Sequence, residues 1–427
     1  MTDTASRAVG REATADEVRQ ELRAWLESNW DADLTVAEWW DVLADSGWAV
    51  PTWPQEWFGR ELSRDVLGVI AEEFRAAKAL GPPGGLSVML AGPTIVAHGS
   101  EEQKQRYLRP IVNGQEAWCQ LFSEPGAGSD LASLAARAVR DGDEWIVNGQ
   151  KVWTSGAQVA DLGMVLARTN PDVPKHSGIS YFGIEMDQAG VDVRPLREMT
   201  GRALFNEVFL TDARVRHDAL IGGENNGWTV ANTTLANERV GLGAGAAGAM
   251  GAASPGKKLG HLERRAGDFV RSDDASRGPA MRRSGSTMLV KLAQGLGRSS
   301  DPVIRQQLAE LHTLEEIARY TTIRAKAAKA QGKAPGPEAN LAKMAMSRIT
   351  RLSRDLGLQI LGPGGMLHGG DAPLNGMITE MALFSPAVSI YGGTDEVQRN
   401  VIGERVLGLP KEPNTDKTTP FKDLKKS

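Results

Sequence analysis

The chain changes texture twice. From Ala15 to about Ser100, apolar residues such as Val18, Leu22, Trp25 and Leu26 recur at spacings of three and four, which is the period of a buried helix face. Between about Ala117 and Gly227 the pattern becomes short β-type runs divided by turn residues: Trp145 to Val147, Gly163 to Ala167, Ile179 to Ile184 and Val208 to Leu210. Past Trp228 the helical period returns, over Thr229 to Gly248, Pro302 to Gln331, Pro337 to Leu361 and Val397 to Leu407. Helix, sheet and helix in that order predict a segregated α+β fold, not an alternating parallel one. The expected units are an N-terminal helical domain (1–116), a middle β-barrel or sheet domain (117–227), a C-terminal four-helix bundle (228–410) and a polar tail (411–427).

Within the β region, Asp141-Gly142 precedes Trp145-Ile146-Val147, and Asn148-Gly149 follows it. This spacing predicts a strand, a tight turn at Asn148-Gly149, and a second strand through Lys151 to Ser155. Upstream, the run Cys119 to Ser123 stops at Glu124-Pro125, where proline removes a ladder donor. Gly126 to Ser129 is therefore a loop at a strand end, where glycines let backbone N–H groups approach a ligand and Ser129 adds a hydroxyl.

Composition narrows the rest. The 427 residues, 41% hydrophobic and 24% charged, suffice for two or three domains. The single cysteine, Cys119, forms no internal disulfide, and the six histidines are scattered rather than clustered for a metal. No apolar run is long enough to span a bilayer, and the N-terminus has no secretory h-region, so a cytoplasmic location is expected. A net charge of −4 argues against general nucleic-acid binding. Gly243 to Gly248 satisfies G-x-G-x-x-G, but it continues a helical stretch and lacks a preceding strand, so close helix packing accounts for it better than a dinucleotide site. His261 to Ser286, polar and rich in Arg, Gly and Ser, reads as an exposed loop.

Phe122-Ser123-Glu124-Pro125-Gly126-Ala127-Gly128-Ser129-Asp130, followed by Lys151-Val152-Trp153-Thr154-Ser155, resembles the two flavin-proximal segments of the acyl-CoA dehydrogenase family. The likeness extends from Gly47-Trp48 to Tyr391-Gly392-Gly393-Thr394-Asp395-Glu396. It implies FAD as cofactor and α,β-dehydrogenation of an acyl-CoA thioester, with a carboxylate taking the α-proton and flavin N5 the β-hydride. It carries Phe122, Ser123, Trp153 and Ser155 to the isoalloxazine ring. Gln359, Gly362 and Gly364, in Gln359-Ile360-Leu361-Gly362-Pro363-Gly364-Gly365, go to the dinucleotide part bound by a neighbouring subunit, and Thr394 and Glu396 to further FAD contacts. Ser129 goes to the CoA arm, and Arg239 to the substrate side more weakly. The bland readings are a half-buried strand tryptophan at Trp153 and a helix C-cap at Leu361-Gly362.

Two departures stand out. Many family members carry the base as the second residue of Tyr-Glu-Gly-Thr, whereas this chain has Gly392 there. Gly392 retains a backbone N–H for the thioester carbonyl. The second family position for the base, a glutamate before an arginine on a helix, matches Leu235-Ala236-Asn237-Glu238-Arg239, which makes Glu238 the candidate; the alternative is an ordinary helix glutamate paired with an arginine. The family's Arg-x-x-Phe-Gly diphosphate segment is also missing, and Arg298 in Gly297-Arg298-Ser299 is its possible substitute. The resemblance further implies an electron-transfer flavoprotein as electron acceptor and a tetramer, homomeric or built with a sister subunit. A non-catalytic partner subunit and a flavin oxidase or monooxygenase on the same scaffold stay open.

Overall fold

The structure, a computed structural model, describes residues 13–243, 253–270, 285–332, 336–411 and 416–424. The chain opens with α1 (Ala15–Asn29), α2 (Val36–Ser46), α3 (Leu67–Ala76), α4 (Gly92–His98) and α5 (Glu101–Val112). Sequence signals start several of these. Thr14 with Glu17, Thr35 with Glu38 and Ser100 with Gln103 form reciprocal capping boxes that satisfy otherwise orphaned N–H groups. Val18, Leu22 and Leu26 place the buried stripe of α1 at every fourth residue. Trp39 and Trp40 of α2 are buried, and their indole N–H groups donate to the carbonyls of Leu80 (2.6 Å) and Gly81 (3.0 Å).

The middle of the chain forms one mixed sheet from β1 (Trp118–Leu121), β2 (Arg137–Asp141), β3 (Glu144–Lys151), β4 (Leu162–Arg168), β5 (Ile179–Glu185), β6 (Val191–Leu196), β7 (Phe205–Arg216) and β8 (Leu220–Ile221). The order is β6-β7-β3-β2-β4-β5-β8, with β1 running parallel to β4. Alternation along β1 sorts its side chains. Trp118 and Phe122 join the core of the N-terminal helices, whereas Cys119 and Leu121 enter the core of the sheet.

After the sheet come α6 (Gly227–Gly243), α7 (Gly285–Gly295), α8 (Pro302–Ala330), α9 (Glu338–Leu361), α10 (Met377–Val388) and α11 (Asp395–Val401). α9 packs against α7, α8, α10 and α11, around Leu289, Leu292, Ile304, Leu311, Leu356, Ile360 and Ile378. α6 touches α9 too but lies mainly against α4 and β5: Thr234 Oγ1 is 2.8 Å from Thr94 Oγ1 and 3.3 Å from the Tyr181 hydroxyl, and His98 Nε2 is 2.7 Å from Thr233 Oγ1. All of Thr94, Thr234 and Tyr181 are buried, so hydroxyls partner hydroxyls where water is excluded.

Three local expectations need correction. The tight turn falls at Gly142-Asp143, where Gly142 has φ 63°, and not at Asn148-Gly149. Asn148-Gly149 is a bulge inside the continuous strand β3: the register against β7 shifts there, and Asn148 Nδ2 donates to Asp212 Oδ1 at 3.0 Å. Glycine is required because a Cβ on Gly149 would meet Ala136 Cβ at 2.5 Å. The second strand does not run through to Ser155, since β3 ends at Lys151 and Trp153 is left-handed (φ 61°). Finally, the described part of the expected loop, 261–270, is docked: Leu262, Ala266 and Phe269 are buried at helical spacing, and Arg264 and Leu262 carbonyls accept from Val36 and Ala37. Its arginines hid that apolar stripe. Residues 271–284 and 244–248 lie outside the described residues.

The tail also docks. Phe421 lies under the Arg168 guanidinium at 3.5 Å, its N–H donates to the Val173 carbonyl at 2.9 Å, and Asp416 pairs with Lys175 at 2.6 Å.

Candidate active site

The two motif segments meet edge to edge. The Val152 N–H donates to the Ser123 carbonyl at 2.9 Å. Lys151 Nζ reaches back to the Phe122 carbonyl (3.1 Å) and to Glu124 Oε1 (2.8 Å). Glu124 also accepts from the N–H groups of Ala135 (2.7 Å) and Ala136 (2.9 Å). Lys151 is fully buried; burial pushes its pKa down, and the facing Glu124 charge opposes that. Nearby Arg168, lowered to about 10 by burial with Glu124 opposing, donates to the carbonyls of Ala132, Leu134 and Lys175.

This frame presents Trp153 outward. Thr154 exchanges backbone hydrogen bonds with Asn206 (3.1 and 3.0 Å), which fixes the chain just past the left-handed residue. The Trp153 ring is 58% exposed and meets Phe205 edge-on at 5.8 Å. Holding a large non-glycine residue in the left-handed region costs about 1–3 kcal/mol and recurs at ligand-binding positions. Ser155 is exposed beside it, Ser123 is half-buried, and Phe122 is buried edge-on to Tyr181 at 5.8 Å. An open indole face, next in the chain to the Val152–Ser123 backbone pair and two residues from the exposed Ser155, suits a flat, polar-edged ring such as isoalloxazine.

Glu238 comes to the same strand. It lies on α6, half-buried, one turn beyond Thr234, and its Oε2 accepts from Gln120 Nε2 at 3.3 Å. Gln120 sits between Trp118 and Phe122 on one face of the β1 segment. Sequence reasoning missed Gln120, although a polar residue at the apolar-face position of Trp118-x-Gln120-x-Phe122 was a legible signal. Arg239 follows on α6, and its side chain lies outside the described residues.

The remaining candidates are spread over the C-terminal helices and the loop after β1. Gln359 is in the last turn of α9, and Gly362 caps that helix with φ 57°. A Cβ on Gly362 would stand 3.9 Å from Arg298 Nη1, so the possible substitute cation is beside the glycine segment; Arg298 also pairs with Asp301 at 3.5 Å. Gly364 lies against Pro373. Gly392 is left-handed (φ 66°) and its carbonyl accepts from Gln398 Nε2 at 3.1 Å. Thr394 caps α11 through Val397 N–H (3.2 Å), and Glu396 is exposed and paired with Arg399 (3.1 Å). Ser129 is exposed beside Asp130, which Lys175 holds at 2.8 Å.

Among the described residues no group of side chains could hold a metal, and no helix is long and apolar enough to cross a membrane. A surface cleft of about 410 Å3, lined by Arg106, Glu116, Asp161, Glu185, Lys257 and Lys258 among others, contains none of the candidate residues.

A helical unit, a mixed sheet that presents an open indole, and a helical bundle follow one another along the chain. Comparison with known proteins agrees at every unit. Family models for the acyl-CoA dehydrogenase N-terminal, middle and C-terminal domains match residues 3–115, 119–213 and 282–407. Acyl-CoA dehydrogenase IpdE1 of Mycobacterium tuberculosis (strain ATCC 25618 / H37Rv) is 35% identical over 93% of this chain and 98% of its own. Among solved structures, one described as "Tcur3481-Tcur3483 steroid ACAD" superposes with a TM-score of 0.70 at 28% identity, over 93% of this chain and 98% of the other. The ChsE4-ChsE5 complex from Mycobacterium tuberculosis matches with a TM-score of 0.66 at 26% identity, over 94% and 100%. The chain belongs to the acyl-CoA dehydrogenase family. It is thus an FAD-using oxidoreductase.

Proposed function

We propose that this chain dehydrogenates an acyl-CoA thioester across its α and β carbons, with Glu238 as the base. The observation that supports this most is the Gln120 to Glu238 hydrogen bond, which ties the α6 carboxylate to the strand leading into the flavin motif. FAD, when bound, supplies the hydride acceptor. Trp153 and Phe122, with the Ser123 and Ser155 hydroxyls, would hold the ring. Gln359, Gly362, Gly364 and Arg298 would hold the dinucleotide of an adjoining subunit, with Thr394 and Glu396 adding contacts. The Gly392 N–H polarises the thioester carbonyl, Ser129 and Arg239 contact the substrate, and Glu238 takes the α-proton.

An electron-transfer flavoprotein would serve as the electron acceptor, and the working assembly is a cytoplasmic tetramer. Because the solved relative is described as a steroid ACAD, a steroid-derived thioester is the substrate class to try first. Glu238→Gln tests the base: turnover falls by about 10²–10⁴-fold with flavin retained, and undiminished turnover overturns the assignment.

The second reading, a non-catalytic partner subunit, is favoured by Gly392 and by the missing Arg-x-x-Phe-Gly segment. It predicts flavin only when a sister chain is co-expressed.

A further inference from the structure

We infer that Gln120 is a positioning residue that sets both the orientation and the proton affinity of the Glu238 carboxylate. The inference rests on Glu238 being the base, and it adds what the family resemblance does not supply: a group that tunes that base.

Gln120 is half-buried on an apolar face. Its neighbours on the same face, Trp118 and Phe122, are 3% and 4% exposed and belong to the apolar core shared with the N-terminal helices. A primary amide on such a face is tolerated when its donors find partners. Gln120 Nε2 finds Glu238 Oε2 at 3.3 Å, across a sequence separation of 118 residues and between a strand and a helix. The strand end is rigid: β1 is paired with β4 along its whole length, and the segment just beyond it is tied to Val152 and Lys151. α6 is rigid at Thr234, one turn from Glu238, through the Thr94 and Tyr181 hydroxyls. The amide therefore joins two fixed elements at the point where the carboxylate must be aimed.

An amide N–H can donate to the ionised carboxylate, and a hydrogen bond to the charged form favours it. Gln120 makes that hydrogen bond. It favours ionised Glu238 at the pH where the base has to accept a proton, and it removes one rotational freedom from the carboxylate. Substitutions that keep the shape but lose the donor should therefore raise the proton affinity of Glu238 while leaving the fold alone.

The test uses the full-length flavin-loaded protein and the variants Gln120→Met and Gln120→Leu. The titration of Glu238 is read without substrate, as the pH-dependent infrared carboxyl band present in the parent and absent from Glu238→Gln. The expected result is a midpoint raised by about one pH unit in both variants, the scale of one hydrogen bond to a charged group. Flavin content should stay at the parent value, and both variants should unfold cooperatively with a modestly lower thermal midpoint at neutral pH, the linked counterpart of that shift. An acid limb displaced by the same amount is expected in the pH dependence of kcat/KM, measured with isobutyryl-CoA, cyclohexanecarbonyl-CoA and a CoA thioester of a steroid carboxylic acid.

An unmoved infrared midpoint in both folded variants overturns the inference. If Glu238→Gln keeps its turnover, the base assignment fails instead; a shifted infrared midpoint would then still show that Gln120 controls Glu238. The two failures thus read out separately.

Discussion

Lys151 and Glu124 pair at 2.8 Å with side chains 0% and 9% exposed, and this one contact joins the two segments that carry the flavin candidates. The pair contributes to a defined local geometry more surely than to net stability, because desolvating both charges costs nearly what their attraction returns. Removing one partner is another matter. Lys151→Met leaves Glu124 buried with only the Ala135 and Ala136 N–H groups, and should cost about 3–5 kcal/mol in denaturant unfolding. Adding Glu124→Gln to it should recover part of that loss, and a double-mutant cycle with no coupling would contradict the role given to the pair.

Trp153 separates binding from stability. Its ring is exposed and its backbone is strained, so Trp153→Ala should leave unfolding free energy within about 0.5 kcal/mol of the parent. Flavin retention should nonetheless weaken by about tenfold, the scale of one aromatic stacking contact. Equilibrium dialysis and chemical denaturation on the same preparation decide between this and a purely structural tryptophan, which would show the reverse.

Asp395 gives the C-terminal bundle an acid sensitivity. Burial by itself raises its carboxyl, but hydrogen bonds from Ser347 (2.7 Å), Arg351 (3.1 Å) and Lys343 (3.2 Å) outweigh burial and hold it below the ordinary range. A carboxyl with a depressed folded pKa contributes stability that is fully present above its unfolded value, about pH 4, and lost as pH falls through the folded value. Thermal midpoints of the parent should therefore decline below about pH 4. Asp395→Asn should be less stable by about 3 kcal/mol at neutral pH and show a shallower acid decline. Parallel acid curves for parent and variant would refute this.

Gly392 cannot simply be given back a carboxylate. Its φ of 66° makes any L side chain strained by about 1–2 kcal/mol. A base misplaced by an ångström loses about 10²-fold. Gly392→Glu placed in a Glu238→Gln background should therefore recover no more than about a hundredth of the lost rate, as measured by single-turnover flavin reduction.

Much of this was legible in the sequence because it is written in local periods and short motifs. The helical stripe of Val18, Leu22 and Leu26, the caps at Thr14 and Thr35, and the strands around Val147 and Ile184 all follow from residues close in sequence. What escaped depends on distant partners. Asn148-Gly149 has turn chemistry, yet Ala136 and Asp212, contributed by other parts of the sheet, make it a bulge. Leu262, Ala266 and Phe269 were masked by intervening arginines until α2 supplied their partner. Gln120 and Lys151 carry no motif that announces a partner; only folding brings Glu238 and Glu124 to them.

The most direct measurement is anaerobic flavin absorbance of the chain purified alone, before and after addition of isobutyryl-CoA, cyclohexanecarbonyl-CoA and steroid-carboxylic-acid CoA thioesters, with Glu238→Gln in parallel. The proposed function predicts flavin bands that bleach in the parent and persist unbleached in Glu238→Gln. Bleaching of equal rate in both proteins, or a chain that binds flavin only with a sister subunit present, would contradict it.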